Sequence, residues 1–359
     1  MGRTIPSSTL DGSLLELADF GWDNFYNSQL TEELPPSTFP VRVMNVQKSG
    51  LQVSAPDVDS HIAAAMVSDA CTATVGDWLL FDSETGRVKQ RLERKSLFKR
   101  RAPGTDRRVQ LIAANVDTLF IVSSCNQDFN EARIERYLAI AREAGVMPVI
   151  VLTKSDLAED PQEFVSAASK LAPDVLVAAV NAKDDESLRC LEGWLGTGQT
   201  IALLGSSGVG KSTITNTLLG QQQIETRDIR SGDDKGRHTT TSRSIFRLPG
   251  GAWLLDTPGM RELQLTDVQA GIDDVFAEIS ALAEDCKFAD CIHESEPGCA
   301  VQKAIDIGDI EAARVNRWRK LMREEAHNRE SIAERRARDR SLGKLYKTVI
   351  NEKKFTRKT

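Results

Sequence analysis

The sequence predicts a multidomain α/β protein in which a small β-barrel, a helix-flanked parallel sheet and a helical domain follow one another along the chain. Three observations lead to this fold class. Short alternating apolar runs occupy residues 40–102, strand-like and helix-like apolar patterns alternate over residues 103–265, and residues 266–359 combine a cysteine–histidine cluster with a long charged helical stretch. Residues 1–39 precede these three domains as an N-terminal arm.

The length and composition fit this division. The length of 359 residues predicts two to three domains. The composition, with 40% hydrophobic and 27% charged residues, is typical of globular proteins. No apolar run approaches the roughly 18 residues needed to cross a bilayer. The first residues lack the pattern of a secretory signal. We therefore expect a cytoplasmic protein with no membrane partner.

The net charge of −6 is unevenly distributed. From Arg314 to the C-terminus there are 16 lysines and arginines against 6 acidic residues, and ten basic residues lie between Arg87 and Arg108. Basic segments on an otherwise acidic chain indicate contact with nucleic acid. For the C-terminal segment, a solvated charged helix is the alternative.

The N-terminal arm is rich in aromatic residues, and the barrel follows it. Phe20, Trp22, Phe25 and Tyr26 precede Pro35 and Pro36, which predicts a helix or an extended arm. Five short strands are predicted at residues 41–44, 51–53, 62–67, 78–81 and 88–92, with turn signals between them. Their number and spacing indicate a barrel of the oligonucleotide-binding (OB) type. Its basic last strand suits a phosphate backbone, although such barrels also serve as spacers.

Residues 103–265 show the strand–helix alternation of a mainly parallel sheet. Residues 116–123 predict a strand, and residues 131–144 predict a helix that ends at Gly145. In such sheets, ligands bind at the carboxyl ends of the strands.

A glycine-rich loop follows the apolar strand at residues 200–204. It matches the pattern G-x-x-x-x-G-K-[ST] and comprises Gly205, Ser206, Ser207, Gly208, Val209, Gly210, Lys211 and Ser212, with Thr213 next. The glycines allow backbone N–H groups to surround a β-phosphate, Lys211 reaches the β- and γ-phosphates, and the Ser212 hydroxyl binds Mg²⁺. The loop predicts a nucleoside triphosphate site.

Two further loops predict that the base is guanine. The strand at 149–152 leads into Thr153, Lys154, Ser155 and Asp156, and the strand at 174–180 leads into Asn181, Ala182 and Lys183. The Asp156 carboxylate can accept hydrogen bonds from N1–H and the 2-amino group of guanine, a donor pair that adenine lacks. The loop at 181–183 fits a weaker pattern that supports the base. Alone, the T-K-S-D run is only a strand-ending turn, but several motifs at strand ends of one sheet favour the nucleotide site.

A fourth loop predicts the switch that responds to the γ-phosphate. The strand at 253–255 leads into Asp256, Thr257, Pro258 and Gly259, a D-x-x-G motif. Asp256 is expected to hold Mg²⁺ through water, and the Gly259 N–H to meet the γ-phosphate. Among the threonines at 239–241, Thr240 is favoured as a further Mg²⁺ ligand.

The residue that orients the attacking water is less obvious. Met260 stands where Ras-like enzymes have a glutamine, and a thioether cannot orient water, so hydrolysis by the isolated protein should be slow. His238 is the candidate catalytic residue once a partner orders this segment. Alternatively, His238 is only a polar loop residue.

The order of these motifs is unusual. The guanine motif at 153 precedes the phosphate loop at 205, which precedes D-x-x-G at 256, so the chain is predicted to be a circularly permuted GTPase with a P-loop. Permutation is tolerated because the termini of a domain commonly lie near each other. The switch then leads directly into the C-terminal domain.

Three cysteines and a histidine form a predicted metal centre in that domain. Cys286, Cys291, His293 and Cys299 follow the spacing C-x4-C-x-H-x5-C, a complete tetrahedral set for one structural Zn²⁺. Chance clustering is the alternative. Cys71, Cys125 and Cys190 are expected to be small core residues.

These motifs together resemble those of one known family. The residues that carry the resemblance are the runs at 110–117 (QLIAANVD), 136–138 (RYL), 153–156, 205–213, 236–241 (GRHTTT) and 256–263 (DTPGMREL), and the cysteine–histidine cluster. The chain resembles the bacterial, circularly permuted GTPases that depend on the small ribosomal subunit.

The resemblance implies an OB-type barrel, a permuted GTPase core and a zinc-binding helical domain. It also implies a cytoplasmic protein that binds the small subunit and its rRNA. Such a protein would act in late subunit maturation and would hydrolyse GTP to GDP and phosphate with stimulation by the subunit. We expect a monomer.

Two other functions stay open at this point. One is a GTP-dependent rRNA-binding switch with little hydrolysis of its own, which Met260 would suit. The other is a metal-dependent nucleic-acid enzyme, against which the four filled zinc ligands argue.

Overall fold

The computed structural model describes residues 8–10, 13–30, 34–67, 72–101, 109–220, 243–256 and 268–329. In this part of the chain the strands are β1 (Ser8–Leu10), β2 (Ser13–Leu15), β3 (Thr38–Gln47), β4 (Gly50–Ala55), β5 (Val58–Ala63), β6 (Trp78–Asp82), β7 (Arg87–Arg91), β8 (Leu97–Arg101), β9 (Val109–Ala114), β10 (Thr118–Ser124), β11 (Met147–Thr153), β12 (Val177–Ala179), β13 (Thr200–Leu204), β14 (Arg243–Arg247) and β15 (Trp253–Asp256). The helices are α1 (Asn24–Asn27), α2 (Glu131–Glu143), α3 (Pro161–Leu171), α4 (Asp185–Leu188), α5 (Lys211–Leu218), α6 (Gln269–Val275), α7 (Ala277–Glu284), α8 (Ala300–Asp306) and α9 (Ala312–Arg329).

The N-terminal arm is packed into the protein. β1 and β2 form an antiparallel hairpin, and a 3₁₀ turn and α1 follow. Phe20 stacks on Trp253 with ring centroids 5.3 Å apart, and Trp22 meets the edge of Trp78 at 4.9 Å. The arm therefore contacts both the barrel strand β6 and the central strand β15.

The barrel region contains the predicted five antiparallel strands. The long strand β3 pairs with β6 along its first half and with β4 along its second, while β4–β5 and β6–β7 form hairpins. Alternate residues such as Val41, Val43, Val53 and Leu79 are fully buried and form a separate core. This arrangement is consistent with the OB-type barrel that the sequence predicts.

One predicted strand in this region is partly wrong. The strand expected at 62–67 ends at Ala63, and a 3₁₀ turn at Ala64–Met66 follows. The Ala64 N–H donates to the Ser49 carbonyl at 2.9 Å, which closes the corner. Three consecutive alanines offer no β-branched or aromatic side chain to favour continuing the strand.

The central sheet is mainly parallel, as predicted. Its order is β12-β11-β10-β13-β15, all parallel, with β14 antiparallel at the end of this series. On β10, Leu119 and Ile121 face a core shared with α2 and α3, whereas Phe120 and Val122 face a second core shared with α5. Helices therefore cover both faces, which is why the strands read as continuous apolar runs.

The barrel and the central sheet share hydrogen bonds. β14 pairs with β15 on one side and with barrel strand β3 on the other, where Ser244 is opposite Asn45. β8 and β9 form a two-stranded sheet on the connection from the barrel to β10. The domain boundaries at residues 39/40, 102/103 and 265/266 stay predictions, because the sheet runs from one unit into the next.

The C-terminal helices pack against α2. Val315, Trp318 and Leu321 on α9 are buried. The fully buried carboxylate of Glu135 on α2 accepts hydrogen bonds from Arg317 at 2.7 Å and Arg314 at 3.2 Å. The long charged helical stretch predicted for this domain is present as α9, which begins at Ala312 and is described as far as Arg329. No helix among the described residues combines the length and apolarity needed to cross a membrane.

Candidate functional site

The phosphate loop connects β13 to α5. α5 begins at Lys211, and Gly210 before it has φ +98°, a conformation that favours glycine. A Cβ at Gly205 would lie 2.3 Å from the Val122 carbonyl oxygen, so the loop leaves the sheet where only glycine fits. Val209 is fully buried and anchors the loop, whereas Ser207 and Gly208 are exposed at its tip.

The lysine and two of the hydroxyl groups of this segment lie in the first turn of α5. The Lys211 ammonium donates to the Gly205 carbonyl at 2.7 Å and to the Ser206 carbonyl. Ser212 is exposed in the first turn of α5 and Thr213 is half-buried. A helix N-terminus with a lysine at this position provides positive potential for a phosphate group.

The guanine motif directly contacts the phosphate loop. Thr153 at the end of β11 is fully buried, and its hydroxyl lies 2.6 Å from the Val209 carbonyl and 3.1 Å from the Ser123 carbonyl. Lys154 then adopts φ +60°, and a 3₁₀ turn at Ser155–Leu157 follows. Asp156 in that turn is exposed, so its carboxylate is available to a ligand.

The loop at 181–183 lies beside both. The Ser155 N–H donates to the Val180 carbonyl at 3.3 Å, which joins this loop to the guanine motif. On the other side, the Thr217 hydroxyl of α5 donates to the Ala182 carbonyl at 2.7 Å. Three loops separated in sequence thus meet at one edge of the sheet.

The switch is described only up to its strand. β15 lies next to β13 in parallel register, with Ala202 opposite Leu255, and ends at Asp256 near the start of the phosphate loop. His238, Thr240, Gly259 and Met260 lie outside the described residues, so their roles stay predictions.

Sequence reasoning missed Arg133. This residue of the first turn of α2 donates from Nη1 to the Ser206 hydroxyl at 2.5 Å. It adds a guanidinium to the phosphate loop from a helix that lies 73 positions earlier in the chain. No local sequence signal marks Arg133, because its contact depends on β10, the strand before α2, pairing with β13, the strand before the phosphate loop.

The cysteine–histidine cluster has the dimensions of a tetrahedral metal site. The ligand atoms of Cys286, Cys291, His293 and Cys299 all lie within 4.8 Å of one another. The Cys286 and Cys299 sulfurs are 3.8 Å apart, and each lies 3.4–3.5 Å from His293 Nδ1. Zinc with Zn–S bonds of about 2.3 Å places tetrahedral sulfurs about 3.8 Å apart, so the four residues fit this ion.

Neighbouring groups hold the cluster in place. Gln302 donates to the His293 carbonyl at 2.6 Å, and the imidazole packs at 5.3 Å from the Trp318 ring of α9. The Glu296 carboxylate accepts hydrogen bonds from the Ile292 and Glu294 N–H groups at 2.9 Å and closes the turn. Burial lowers the pKa of His293, which favours the neutral imidazole that binds metals.

The cysteines outside this cluster differ in their burial. Cys125 is buried in the core as expected, but the expectation for Cys190 is wrong, since it is exposed and its thiol donates to the Ser187 carbonyl on the surface. It follows Leu188 and precedes Leu191, which take the buried positions of that short helical segment. Cys71 lies outside the described residues.

Comparison with known proteins identifies the family. The chain is 48% identical over 343 residues to the small ribosomal subunit biogenesis GTPase RsgA 2 of Vibrio vulnificus. The alignment covers 96% of this chain and 97% of that protein. The chain belongs to the RsgA GTPase family. A family model described as RsgA GTPase matches residues 91–266. The small ribosomal subunit biogenesis GTPase RsgA of Mesorhizobium japonicum is also 48% identical, over 315 residues that cover 87% of this chain and 90% of that protein.

Solved structures have the same fold. YjeQ from Thermotoga maritima aligns with a TM-score of 0.58 at 22% identity, over 80% of this chain and 98% of that one. YloQ, described as a circularly permuted GTPase, aligns with a TM-score of 0.57 at 23% identity, over 82% and 96%. The fold is thus shared with a circularly permuted GTPase, in agreement with the fold that the order of the sequence motifs predicts.

Proposed function

We propose that this RsgA-family chain is a GTPase that acts in the biogenesis of the small ribosomal subunit, with GTP bound where the three loops meet. The observation that supports this most strongly is the 2.6 Å contact between the Thr153 hydroxyl and the Val209 carbonyl. It joins a loop that can recognise guanine to a loop that can hold phosphates, although 56 positions separate them.

The base would be recognised by Asp156. Its exposed carboxylate accepts from N1–H and the 2-amino group of guanine, while the stem of Lys154 packs over the base. The loop of Asn181, Ala182 and Lys183, which lies beside this motif, would support the base.

The phosphates would be held by the loop at 205–213. The Lys211 ammonium exchanges its bonds to the loop carbonyls for the β- and γ-phosphates, and backbone N–H groups from Gly208 to Thr213 surround them. Mg²⁺, when bound, neutralises charge on the β- and γ-phosphate oxygens. Ser212, Thr240 and Asp256 are the residues that would hold it, and the Gly259 N–H would meet the γ-phosphate.

Hydrolysis requires an oriented water, and the isolated chain is poorly equipped for it. With Met260 after the D-x-x-G motif, we assign this task to His238 in a switch segment ordered by the small subunit. GTP turnover measured with and without small subunits tests this: stimulation is expected, and equal rates would exclude it. His238→Ala should abolish the stimulated rate and leave GTP affinity unchanged. Single-turnover assays on the bound complex distinguish an enzyme from a switch with little hydrolysis.

We further propose that the barrel and its basic strands contact rRNA. Arg87 and Lys89 on β7 are exposed, and β8 adds Lys99. Part of the basic cluster is already neutralised, because Lys89 pairs with Asp82 at 3.0 Å and Arg94 with Asp77 at 2.6 Å. The salt dependence of rRNA binding should therefore be weaker than ten free basic residues would give.

The cysteine–histidine cluster is proposed to hold one structural Zn²⁺. As a ribosome-directed factor the protein would act in the cytoplasm, and we propose that it does so as a monomer. Light scattering on the purified chain tests its oligomeric state.

An exchange of base specificity tests the proposal as a whole. Asp156→Asn replaces an acceptor with an amide that can donate to the 2-oxo group of xanthine, so affinity should move from GTP to XTP. Retained guanine preference in this variant would show that Asp156 does not recognise the base. Asp160→Asn, in a neighbouring exposed position that caps α3, is the matched control.

A further inference from the structure

Helix α2 carries three arginines, and two of them are neutralised by carboxylates. Arg136 forms two hydrogen bonds with the Glu324 carboxylate, at 2.5 and 2.6 Å. Arg142 pairs with Asp274 at 3.1 Å. The third arginine, Arg133, has no carboxylate partner within the ranges that the structure describes. Its positive charge is therefore not balanced by an ion pair in this part of the chain.

This guanidinium lies at the phosphate loop. Its Nη1 donates to the Ser206 hydroxyl at 2.5 Å and to the Asp128 carbonyl at 3.4 Å. The Lys211 ammonium donates to the carbonyl of the same Ser206. Two cationic side chains that meet at one residue repel each other, and an anion that contacts both of them removes this repulsion. The pair of Arg133 and Lys211 therefore favours an anionic ligand.

The position of Arg133 indicates which phosphate it can contact. Ile214 of α5 and Ala182 of the loop at 181–183 belong to the core on one face of the central sheet. Ile134 of α2, next to Arg133, belongs to the core on the other face. The phosphate loop begins beside Arg133 at Ser206 and ends in α5. A nucleotide whose base lies by the loop at 181–183 therefore extends its phosphates toward α2, and the terminal phosphate comes closest to Arg133.

We propose that Arg133 binds the γ-phosphate of GTP. This inference rests on the proposed GTP site and adds to it a second cation, supplied by α2. Lys211 is expected to contact the β-phosphate, which GTP and GDP share, whereas Arg133 contacts a group that only GTP has. A guanidinium suits this role because its N–H donors form a fixed fork that matches phosphate oxygens. Arg133 therefore favours GTP over GDP, and this contact is lost when the γ-phosphate leaves.

The test compares the affinities of GDP and β,γ-imido-GTP, a triphosphate that is not hydrolysed, for the full-length protein in the presence of Mg²⁺. Arg133→Met removes the charge and keeps a long unbranched side chain. Arg133→Lys keeps the charge but not the fork of donors. Arg142→Met is the matched control, because it removes an arginine from the far end of the same helix whose charge is already paired.

In Arg133→Met, we expect the affinity for β,γ-imido-GTP to fall by about 3- to 10-fold, the worth of one hydrogen bond. The affinity for GDP should change by less than about 2-fold, so the preference for the triphosphate shrinks. Arg133→Lys should recover part of this preference, since an ammonium keeps the charge. Arg142→Met should bind both nucleotides as the wild type does.

The possible failures are distinguishable. Equal losses for GDP and β,γ-imido-GTP would show that Arg133 only supports the phosphate loop through Ser206, and unchanged affinities would show that it does not contact the nucleotide. Either result overturns the inference. Wild-type protein that binds neither nucleotide, or that binds ADP as tightly as GDP, would instead overturn the proposed GTP site itself.

Discussion

Glu135→Gln is expected to loosen the contact between the central sheet and the C-terminal helix α9. Glu135 lies on α2 with its side chain fully buried, and its carboxylate bonds the guanidinium groups of Arg314 and Arg317. The amide has one oxygen instead of two and no charge. Two arginines whose side chains are only 16% and 17% exposed would then lack their buried counter-charge.

The size of the destabilisation depends on the acidic partners that Arg314 and Arg317 retain in the variant. Removing one member of a buried ion pair costs roughly 3–5 kcal/mol. Here Arg314 retains Glu278, which is 45% exposed, and Arg317 retains Glu131, which is 40% exposed. These partly solvated partners reduce the cost, so we expect about 2–3 kcal/mol, equivalent to about a 30- to 140-fold increase in local opening.

Native-state hydrogen exchange of the α9 amides measures this opening directly, without assuming that several domains unfold together. Glu186→Gln provides the matched control, since the same substitution there removes an ion pair whose partners are 71% and 59% exposed and should cost less than about 0.5 kcal/mol. Exchange in α9 that is equally fast in both variants would refute the role assigned to the buried cluster.

Three other predictions concern separate regions. Cys299→Ser should abolish binding of one zinc ion per chain and accelerate exchange around the cluster, whereas the exposed Cys190→Ser should retain the metal, as elemental analysis of the purified protein would show. Trp22→Ala should destabilise the fold by about 3–5 kcal/mol in denaturant titrations, and the 37% exposed Phe25→Ala by clearly less; similar losses would mean that the arm is not part of the core. Arg133→Ala should weaken GTP binding by about 3- to 10-fold through the phosphate loop, with the preference for guanine over adenine unchanged in competition assays.

Much of the candidate site could be predicted from the sequence, because each of its motifs is formed by residues that lie close together along the chain. The phosphate loop needs Gly205 and Gly210 at fixed distances from Lys211, since each has a backbone requirement within a few residues. The cysteine–histidine cluster is similar, with all its ligands within fourteen positions. Patterns of this kind predict the local conformation of a segment independently of its tertiary contacts.

Where the local pattern is ambiguous, the sequence-based expectation was wrong or incomplete. The run at 62–67 is apolar and fits a strand, but its alanines allow the chain to turn, and the bond from Ala64 to Ser49 decides the outcome. Cys190 lies between Leu188 and Leu191 in the sequence, and only the burial of these two leucines determines that it faces solvent.

By itself, the sequence determined the class of fold, the permuted order of the motifs and the cluster of three cysteines and one histidine, because periodicity and short spacings are properties of contiguous residues. Only the tertiary structure decided that Arg133 reaches Ser206, that Thr217 holds Ala182 and that the arm carbonyl of Asp19 accepts from Trp253, 234 positions away. Such contacts depend on which strands are neighbours and which helix face meets the sheet. Those choices are set by the packing of the whole core, and no short segment encodes them.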